Sequence, residues 1–302
     1  MLRDVQPPLR VAVIDFLNTA PLIWGLEQEP RLALSYTMPS ACAEALRDGT
    51  ADIGIVPVIE MARIPGLAAL PGIAIGASER VRSIYLISRC PAAAIRSLCL
   101  DSSSRTSAAL VQILLRHKFG VHELATQAAA PDWRAMLETS DAALLIGDPA
   151  LRFDIRGDAQ RQGLYAYDLA SEWYQWTGLP FVFALWAVRR VALQEGRGMG
   201  EEDSGTPSTS RSAAPIPGPS SHFLTARFQQ ARDEGLGHLD TIARQWSTRL
   251  GIPASEARLY LETAVEYDLG AAKVAGLRHF FRLAAIDGLI AASDMPEFLG
   301  QP

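Results

Sequence analysis

The sequence predicts an α/β protein built as two small lobes. Short apolar runs alternate with helical patterns through the first third of the chain, a long extended segment at 72–89 interrupts that rhythm, and a second strand–helix series follows. Strand–helix alternation is typical of open, mostly parallel sheets. We therefore expect one lobe from 9–89 plus 186–300, a second lobe from 90–185, and extended segments that join them.

The first lobe is expected to contain three strands and three helices before the interruption. The predicted strands are the buried apolar runs at 9–15, 32–38 and 51–57. The predicted helices lie at 19–27, 40–50 and 58–64. Ser40 is the expected N-cap of the second helix, and Gly49 is its stop signal.

The second lobe repeats the pattern. Its predicted strands lie at 97–101, 123–127 and 142–148, and its predicted helices run from Ser104 to Lys118 and over 132–139. Segment 165–190 then ends in another apolar strand. We expect its aromatic residues in the core, with one ring free to face a cleft; they are Trp173, Tyr174, Trp176, Phe181, Phe183 and Trp186.

Residues 196–221 break the pattern a second time. They are rich in Gly, Ser and Pro and almost devoid of large apolar residues, so burial cannot offset the entropy of ordering them, and we predict a disordered insertion. Beyond it the chain is expected to be helical. The residues that share one face of the first such helix are Leu239, Ile242, Ala243, Trp246 and Leu250.

The charge balance argues against a nucleic-acid-binding surface. The 302 residues carry 28 Lys and Arg against 33 Asp and Glu, a net charge of −5, whereas such a surface needs a basic stripe. Cys42, Cys90 and Cys99 lack metal-ligand spacing, as is typical of reduced core cysteines. The apolar runs are too short or too interrupted for a signal peptide or a membrane span. We therefore expect a cytoplasmic protein without nucleic-acid or membrane partners, and leave monomer and homodimer both open.

A dense cluster of hydroxyl side chains lies between the end of a predicted strand and the first turn of the predicted helix that follows it. After Asp101 come Ser102, Ser103, Ser104, Arg105, Thr106 and Ser107. One hydroxyl is enough to cap a helix. The other hydroxyls, the free N–H groups at the positive end of the helix dipole and the Arg105 guanidinium suit a carboxylate or phosphate. Two interpretations are equally open here, an anion site and a capped, solvated loop.

Two further candidates follow predicted strands. Gly147 and Asp148 end the strand at 142–148, at the edge where open α/β sheets bind ligands; the alternative is that Asp148 caps a helix beginning at Pro149. Asn18 follows the first strand and can hold a hydroxyl or carboxyl group, although asparagine is also a common N-cap. Metal, nucleotide and serine-hydrolase motifs are missing, so we predict neither a metal nor a cofactor.

Seven segments spread along the chain stand in a characteristic order. They are VIDFLNTAPL, ADIGIVPV, VRSIYLIS, DSSSRTSAALVQILL, ALLIGDPAL, DLASEWYQWTGLPFVFALW and YLETAVEYDLGAAKVAGLRHFF. In this order they resemble the chorismate dehydratase family of the futalosine route to menaquinone. The resemblance covers nearly the whole chain apart from the first few residues and 196–221, and it is specific because so many segments are in register.

The resemblance implies a fold and a reaction. The fold is that of type 2 periplasmic binding proteins, two α/β lobes with a ligand cleft between them and no cofactor or metal. The reaction removes water from chorismate and gives 3-[(1-carboxyvinyl)oxy]benzoate. Other functions considered are the sister enzyme 1,4-dihydroxy-6-naphthoate synthase and a non-enzymatic solute-binding protein.

Roles for the candidate residues follow from this resemblance. The group that would bind one substrate carboxylate comprises Ser104, Arg105, Thr106 and Ser107 with the N-terminus of their helix, and Gly147 is a further substrate-binding residue. Ser83 and Asn18 would hold the remaining polar groups, with Asn18 acting on the leaving oxygen. Asp148 would contact the leaving hydroxyl or act as base, the alternative base being the substrate's own enolpyruvyl carboxylate. Asp15 and Phe16 replace a Ser-Tyr pair found in many relatives, so no role is carried over to position 15.

Overall fold

The computed structural model describes residues 7–153, 157, 159, 161–194, 220–291 and 295–300. Within them the strands are, in chain order, Leu9–Ile14 (β1), Leu32–Thr37 (β2), Ile53–Pro57 (β3), Leu67–Ala77 (β4), Ile84–Ser88 (β5), Ser97–Asp101 (β6), Ala125–Ala129 (β7), Ala142–Ile146 (β8), Tyr165–Asp168 (β9), Phe181–Arg189 (β10) and Glu266–Asp268 (β11).

The helices lie between and after these strands. The α-helices are Pro39–Arg47 (α1), Thr106–Ile113 (α2), Trp133–Thr139 (α3), Gly147–Leu151 (α4), Leu169–Thr177 (α5), Arg190–Gln194 (α6), Ser221–Leu236 (α7), Leu239–Leu250 (α8), Ala254–Thr263 (α9) and Ala271–Ile286 (α10). Short 3-10 helices are Leu17–Ile23, Leu26–Gln28, Val58–Ala62 and Ala92–Ala94, and a π-helical turn, Leu114–Lys118, continues α2.

The strands form two sheets, one in each lobe. The first sheet has the order β11-β4-β10-β3-β1-β2 and the second has the order β7-β6-β8-β5-β9. The extended segment predicted at 72–89 is therefore divided between the sheets by its charged middle, 78–83. Because β5 pairs in the second sheet and all of β10 pairs in the first, the chain changes lobes a few residues before the predicted boundaries at 90 and 186.

The expectation of mostly parallel sheets is wrong. Strand β1 is parallel to β2 and β3, and β6 is parallel to β7 and β8. In contrast, β10 is antiparallel to β3 and β4, and β5 is antiparallel to β8 and β9. Strands β5 and β10 bring the chain into a sheet from the other lobe, so they run against the strands beside them.

Two helices differ from their predicted form, and the conformation of the backbone explains both differences. The segment predicted as a helix at 19–27 forms two 3-10 helices, since Pro21 lacks the N–H that a continuous α-helix requires and Gly25 has a φ of 69°. Helix α1 begins at Pro39 with Met38 as its N-cap, so Ser40 is not the cap. Proline favours the first helical position because its φ is already helical and its missing N–H is not needed there.

Helix α7 packs at very short range against the 3-10 helix Leu17–Ile23. A Cβ atom on Gly235 would lie 2.0 Å from the carbonyl oxygen of Pro21, so a residue with a side chain would push the two backbones apart. Phe228 of α7 meets Trp186 of β10 edge to face, with 4.8 Å between ring centroids. Helix α7, from the C-terminal region, therefore packs against the 3-10 helix that follows β1 and fixes its position.

The C-terminal region begins just beyond the predicted insertion. Residues 196–221 lie outside the described residues, except for Ser220 and Ser221. Ser220 is the N-cap of α7, and its Oγ accepts a hydrogen bond from the N–H of Phe223 at 3.2 Å. Helices α7 to α10 confirm most of the predicted helical character beyond this point, but the pattern predicted to continue to Tyr267 ends at Thr263, and β11 follows it. In the described parts of the chain, no helix combines the length and apolar composition of a membrane span.

Candidate functional site

A cavity of about 60 Å³ lies between the two lobes. It is lined by the ends of strands from both sheets, by the 3-10 helix after β1 and by the start of α2. Most of the predicted site residues meet there: Asn18, Ser83, Ser104, Arg105, Thr106, Ser107 and Gly147. Asp148 is not among the lining residues.

The hydroxyl cluster at the start of α2 is not used to cap the helix. Helix α2 begins at Thr106 with Arg105 as its N-cap, two residues later than predicted, and no side chain makes a capping hydrogen bond. Ser103 instead donates from its N–H and its Oγ to Asp101, at 2.9 and 2.7 Å. Ser104 Oγ is buried without a hydrogen-bond partner. A buried hydroxyl without a partner is costly unless a ligand satisfies it, which favours the anion-site interpretation.

Thr106 and Arg105 also connect α2 with the first lobe. Thr106 Oγ accepts a hydrogen bond from the N–H of Ile59 at 3.3 Å. One Arg105 Nη lies 3.3 Å from a carboxylate oxygen of Glu44 on α1, in a pair that is about two-fifths exposed on each side. Arg105 Nε is buried without a partner. The guanidinium therefore has donors left for a ligand in the cavity.

The cavity is suited to an anion that carries a ring. Among the described residues that line it, none is an aspartate or glutamate, and the charged group present is the Arg105 guanidinium. The N-terminus of α2 adds unpaired N–H groups and a positive helix dipole. The facing walls are apolar and include Phe16, Ile75, Ile84 and Phe183. A carboxylate at α2 would thus lie beside a surface that favours an unsaturated ring.

Asn18 lies within the 3-10 helix Leu17–Ile23. Phe16 occupies the N-cap position and makes no side-chain cap, so the alternative that Asn18 caps a helix is not what the structure shows. Asn18 Oδ1 accepts a hydrogen bond from Thr19 Oγ at 3.4 Å, and its side chain lies within reach of the Tyr260 hydroxyl. The Asn18 amide therefore lines the cavity, and its neighbours Thr19 and Tyr260 restrict its orientation.

Ser83 lies on the segment where the chain first changes lobes. The buried carboxylate of Asp168 accepts hydrogen bonds from the N–H groups of Val81 and Arg82, at 3.1 and 2.7 Å, and it also caps α5. Arg82 has a φ of 62°, a left-handed conformation that is uncommon for residues other than glycine. These contacts fix the crossing segment so that Ser83 points into the cavity.

Gly147 brings the start of α4 against the first lobe. Its φ is +63°, and a Cβ atom at this position would lie 2.4 Å from Cε2 of the Phe16 ring. Its N–H donates to the carbonyl oxygen of Ser83 at 2.8 Å. Glycine is therefore required here both by the backbone conformation and by the close approach of Phe16.

Asp148 lies behind the cavity wall. Helix α4 has Ile146 as its N-cap, so Asp148 is not the cap. Its side chain is buried, and its Oδ1 accepts a hydrogen bond from the N–H of Leu17 at 3.0 Å. Burial raises the pKa of Asp148 to about 6, although the Leu17 N–H and nearby arginines act in the opposite direction. The carboxyl thus ties the second lobe to the residue that precedes Asn18.

Asp148→Asn is expected to stabilise the protein at pH 8 but not at pH 4. The carboxyl ionises near 3.8 in the unfolded chain and near 6 in the folded protein, so its charge lowers the free energy of unfolding as the pH rises through that window. Two pKa units correspond to at most about 3 kcal/mol, and an amide oxygen can still accept from Leu17. Urea unfolding at both pH values measures the difference.

Asp141→Asn provides a control of opposite sign. Hydrogen bonds from the N–H groups of Arg96 and Ser97 lower the pKa of Asp141. The charge on Asp141 therefore raises the free energy of unfolding as the pH rises, and Asp141→Asn should be less stable than the parent at pH 8. A stability difference for Asp148→Asn that does not change with pH would contradict the expectation.

Asp15 does not line the cavity. Its carboxylate forms a two-pronged ion pair with Arg249 of α8, with 2.7 Å between Oδ1 and Nη1. Arg249 in turn lies over the Trp246 ring, 4.4 Å from its centroid. The negative charge is therefore compensated outside the cleft and does not oppose an anion within it.

Sequence reasoning missed several residues of the site. In the sequence Phe16 stands out only as a departure from relatives, yet its ring lines the cavity and packs against Gly147. Phe183 is the ring of the predicted aromatic group that faces the cleft. Tyr260 belongs to the C-terminal segment YLETAVEYDLGAAKVAGLRHFF, in which no local signal indicates a role for it. In the described residues, no group of three or more His, Cys, Asp or Glu side chains could hold a metal ion.

Comparison with known proteins gives a family and a relative. The model of a family described as menaquinone biosynthesis matches residues 9–286. A curated protein from Thermus thermophilus, named chorismate dehydratase, is 26% identical over 249 residues, which cover 78% of this chain and 81% of the relative.

Solved structures agree on the fold. A protein from Archaeoglobus fulgidus has a TM-score of 0.66 at 15% identity and covers 94% of this chain and 98% of its own. A Candida albicans gene product described as having the generic periplasmic binding protein fold has a TM-score of 0.62 at 13% identity, covering 98% of both chains. The two-lobed, periplasmic-binding-protein-like architecture is therefore shown.

Proposed function

This chain belongs to the menaquinone biosynthesis family, and from that premise we propose that it is a chorismate dehydratase. The relative from Thermus thermophilus bears that name and matches over most of both chains. The observation that carries the proposal is the cavity itself. Ser104 Oγ is buried without a partner at the start of α2, Arg105, Asn18 and Ser83 line the same cavity, and no described lining residue is acidic.

The proposed reaction converts chorismate into 3-[(1-carboxyvinyl)oxy]benzoate and water. The proton on C3 and the hydroxyl group on C4 are lost, and a carbon–carbon double bond forms that completes an aromatic ring. Because aromatisation supplies the driving force, the protein has chiefly to orient the substrate, exclude water and help the hydroxyl to depart.

Each part of the cavity has a task in this proposal. The start of α2, with Ser104, Arg105, Thr106 and Ser107, binds one carboxylate through hydroxyl, guanidinium and backbone N–H donors. Asn18 and Ser83 hold the oxygen substituents on the opposite side. The apolar walls accept the ring and keep water away from it. Asn18 donates to the C4 oxygen as it gains negative charge.

The group that removes the C3 proton has two candidates, Asp148 and the enolpyruvyl carboxylate of the substrate. Two observations support the substrate carboxylate: Asp148 is not among the residues that line the cavity, and its Oδ1 already accepts a hydrogen bond from Leu17. Under this proposal Asp148 fixes the turn that carries Asn18. If Asp148 is the base instead, Asp148→Asn will abolish turnover together with any inflection of the rate near pH 6.

Incubation of the protein with chorismate tests the function directly. The expected result is an ultraviolet change that marks aromatisation and a product that mass spectrometry shows to be chorismate less one water. Chorismate alone and chorismate with Asn18→Ala serve as controls for spontaneous decay. Binding of chorismate without any turnover would instead support a solute-binding protein.

Arg105→Ala is expected to raise the Michaelis constant for chorismate with little change in turnover number. The Arg105 side chain is about two-fifths exposed, so the lost contact is worth roughly 1 kcal/mol, or about fivefold. Glu44→Gln should have the opposite effect, because Glu44 competes for the same guanidinium. An unchanged Michaelis constant in both variants would remove Arg105 from carboxylate binding.

A further inference from the structure

Tyr260 connects the two polar groups that face the start of α2. It lies on α9 and is 1% exposed. Its hydroxyl donates to Ser83 Oγ at 2.9 Å, and the side chain of Asn18 lies within reach of the same oxygen. Tyr260 itself does not line the cavity. One phenol from the C-terminal helices thus contacts both Asn18, which follows β1, and Ser83, on the segment that crosses between the lobes.

The single proton of the Tyr260 hydroxyl decides which hydrogen-bond donors of Ser83 and Asn18 remain available to a substrate. A phenol has a single proton, so when it donates to Ser83 it can only accept from the Asn18 amide. Ser83 then has its own O–H free to donate, and Asn18 retains a second N–H. Asn18 and Ser83 both line the cavity, so these two remaining donors are available to a ligand there.

We propose that Tyr260 is a positioning residue, whose hydroxyl orients the Asn18 amide and the Ser83 hydroxyl as donors toward the substrate. This inference rests on the proposed function, because it assigns the two donors to chorismate oxygens. The phenol acts through Asn18 and Ser83 and touches no reacting atom.

The environment of Tyr260 keeps its hydroxyl neutral. Burial raises its pKa well above the ordinary range for tyrosine, and the neighbouring Asp148 carboxyl acts in the same direction. The phenol therefore remains a donor at every pH at which the protein would work. A fixed, neutral donor is what an unchanging orientation of two side chains requires.

Tyr267 shows that burial of a tyrosine ring alone does not explain Tyr260. Tyr267 lies on β11, is also buried, and its hydroxyl has no hydrogen-bond partner. Both rings fill the core of the first lobe, but only the Tyr260 hydroxyl contacts side chains of the cavity. The pair offers a matched comparison in which one oxygen atom is removed from each of two buried tyrosines.

Tyr260→Phe is expected to lower turnover by between about tenfold and a hundredfold, as small misplacements of reacting groups do. Affinity for the product should change much less. Tyr267→Phe should leave both unchanged. If the two variants have equal turnover, or if Tyr260→Phe fails to fold, the hydroxyl is structural and the proposal falls. If the parent itself shows no turnover, the proposed function falls instead.

A spectroscopic measurement tests the contact without any turnover. Asn18 is the only asparagine in the 302 residues, so protein labelled with side-chain ¹⁵N-asparagine gives one pair of amide signals, which belong to Asn18. Tyr260→Phe should shift these signals, and Tyr267→Phe should leave them in place. Identical spectra for the parent and Tyr260→Phe would overturn the proposal even in an active enzyme.

A double variant tests whether Tyr260 acts through Asn18. In an Asn18→Ala background one of the two oriented groups is gone, so Tyr260→Phe should cost a smaller factor in turnover than it does in the parent. An equal factor in both backgrounds would show that the phenol acts independently of Asn18, contrary to the proposal.

Discussion

Asn18→Ala should lower the turnover number for chorismate by about 10²–10³-fold, the usual cost of removing one donor from a developing oxyanion. In the proposed reaction its amide donates most strongly when the C4 oxygen carries negative charge. Affinity for the product should fall much less, because the contact is stronger in the transition state than in the bound ligand. Steady-state kinetics and product titration measure the two effects separately.

The structure removes one competing explanation for such a loss. Asn18 does not cap its 3-10 helix, so the melting temperature should change little. Gln112→Ala is a suitable control, because it removes a side-chain amide from α2 that donates to the carbonyl oxygen of Ala108 and lies outside the cavity. A variant at position 18 that keeps full turnover would exclude Asn18 from the reaction.

Gly147→Ala should destabilise the protein by about 2–5 kcal/mol and weaken ligand binding. A left-handed backbone costs alanine about 1–2 kcal/mol, and forcing a methyl group into a packed region costs typically 1–3 kcal/mol more. The new methyl would meet the Phe16 ring at 2.4 Å. Since Phe16 lines the cavity, its displacement should also narrow the space for the ligand. Urea unfolding and product titration measure both losses.

Two variants separate backbone strain from collision at position 147. Gly120 has a φ of +72° and nothing within 4 Å of a Cβ atom, so Gly120→Ala should show the backbone cost alone. Adding Phe16→Ala to Gly147→Ala should relieve the collision, so that Gly147→Ala costs less in that background. Equal losses for Gly147→Ala and Gly120→Ala would contradict the close approach of Phe16.

Local patterns predicted most of the strands, but not how they pair. Apolar runs gave β1, β2, β3, β6 and β8 to within two residues, because buried strands are continuous apolar segments bounded by polar ones. The direction of β5 and β10 depends on where the chain crosses between lobes. That is a tertiary property, and no periodicity within those segments encodes it.

The sequence likewise predicts some residues of the candidate site and not others. The hydroxyl cluster, Asn18 and Gly147 follow strands and could be predicted from that position alone. The location of Asp148 behind the cavity wall could not be predicted, since Asp148 directly follows Gly147 in the sequence and Gly147 lines the cavity. Tyr260 could not be predicted either, because its partners Asn18 and Ser83 come from distant parts of the chain and α9 looks like any amphipathic helix.

The division of the sheets has a consequence for synthesis on the ribosome. All strands of the second sheet lie between Ile84 and Asp168, whereas the first sheet needs β10 and β11 and its 3-10 turn needs Gly235. Since nascent chains fold as complete units emerge, we expect the second lobe to form while the earlier strands still await their neighbours. The cleft, which needs both lobes, is then assembled last, and a chain arrested before α9 would emerge half folded and unable to hold a ligand.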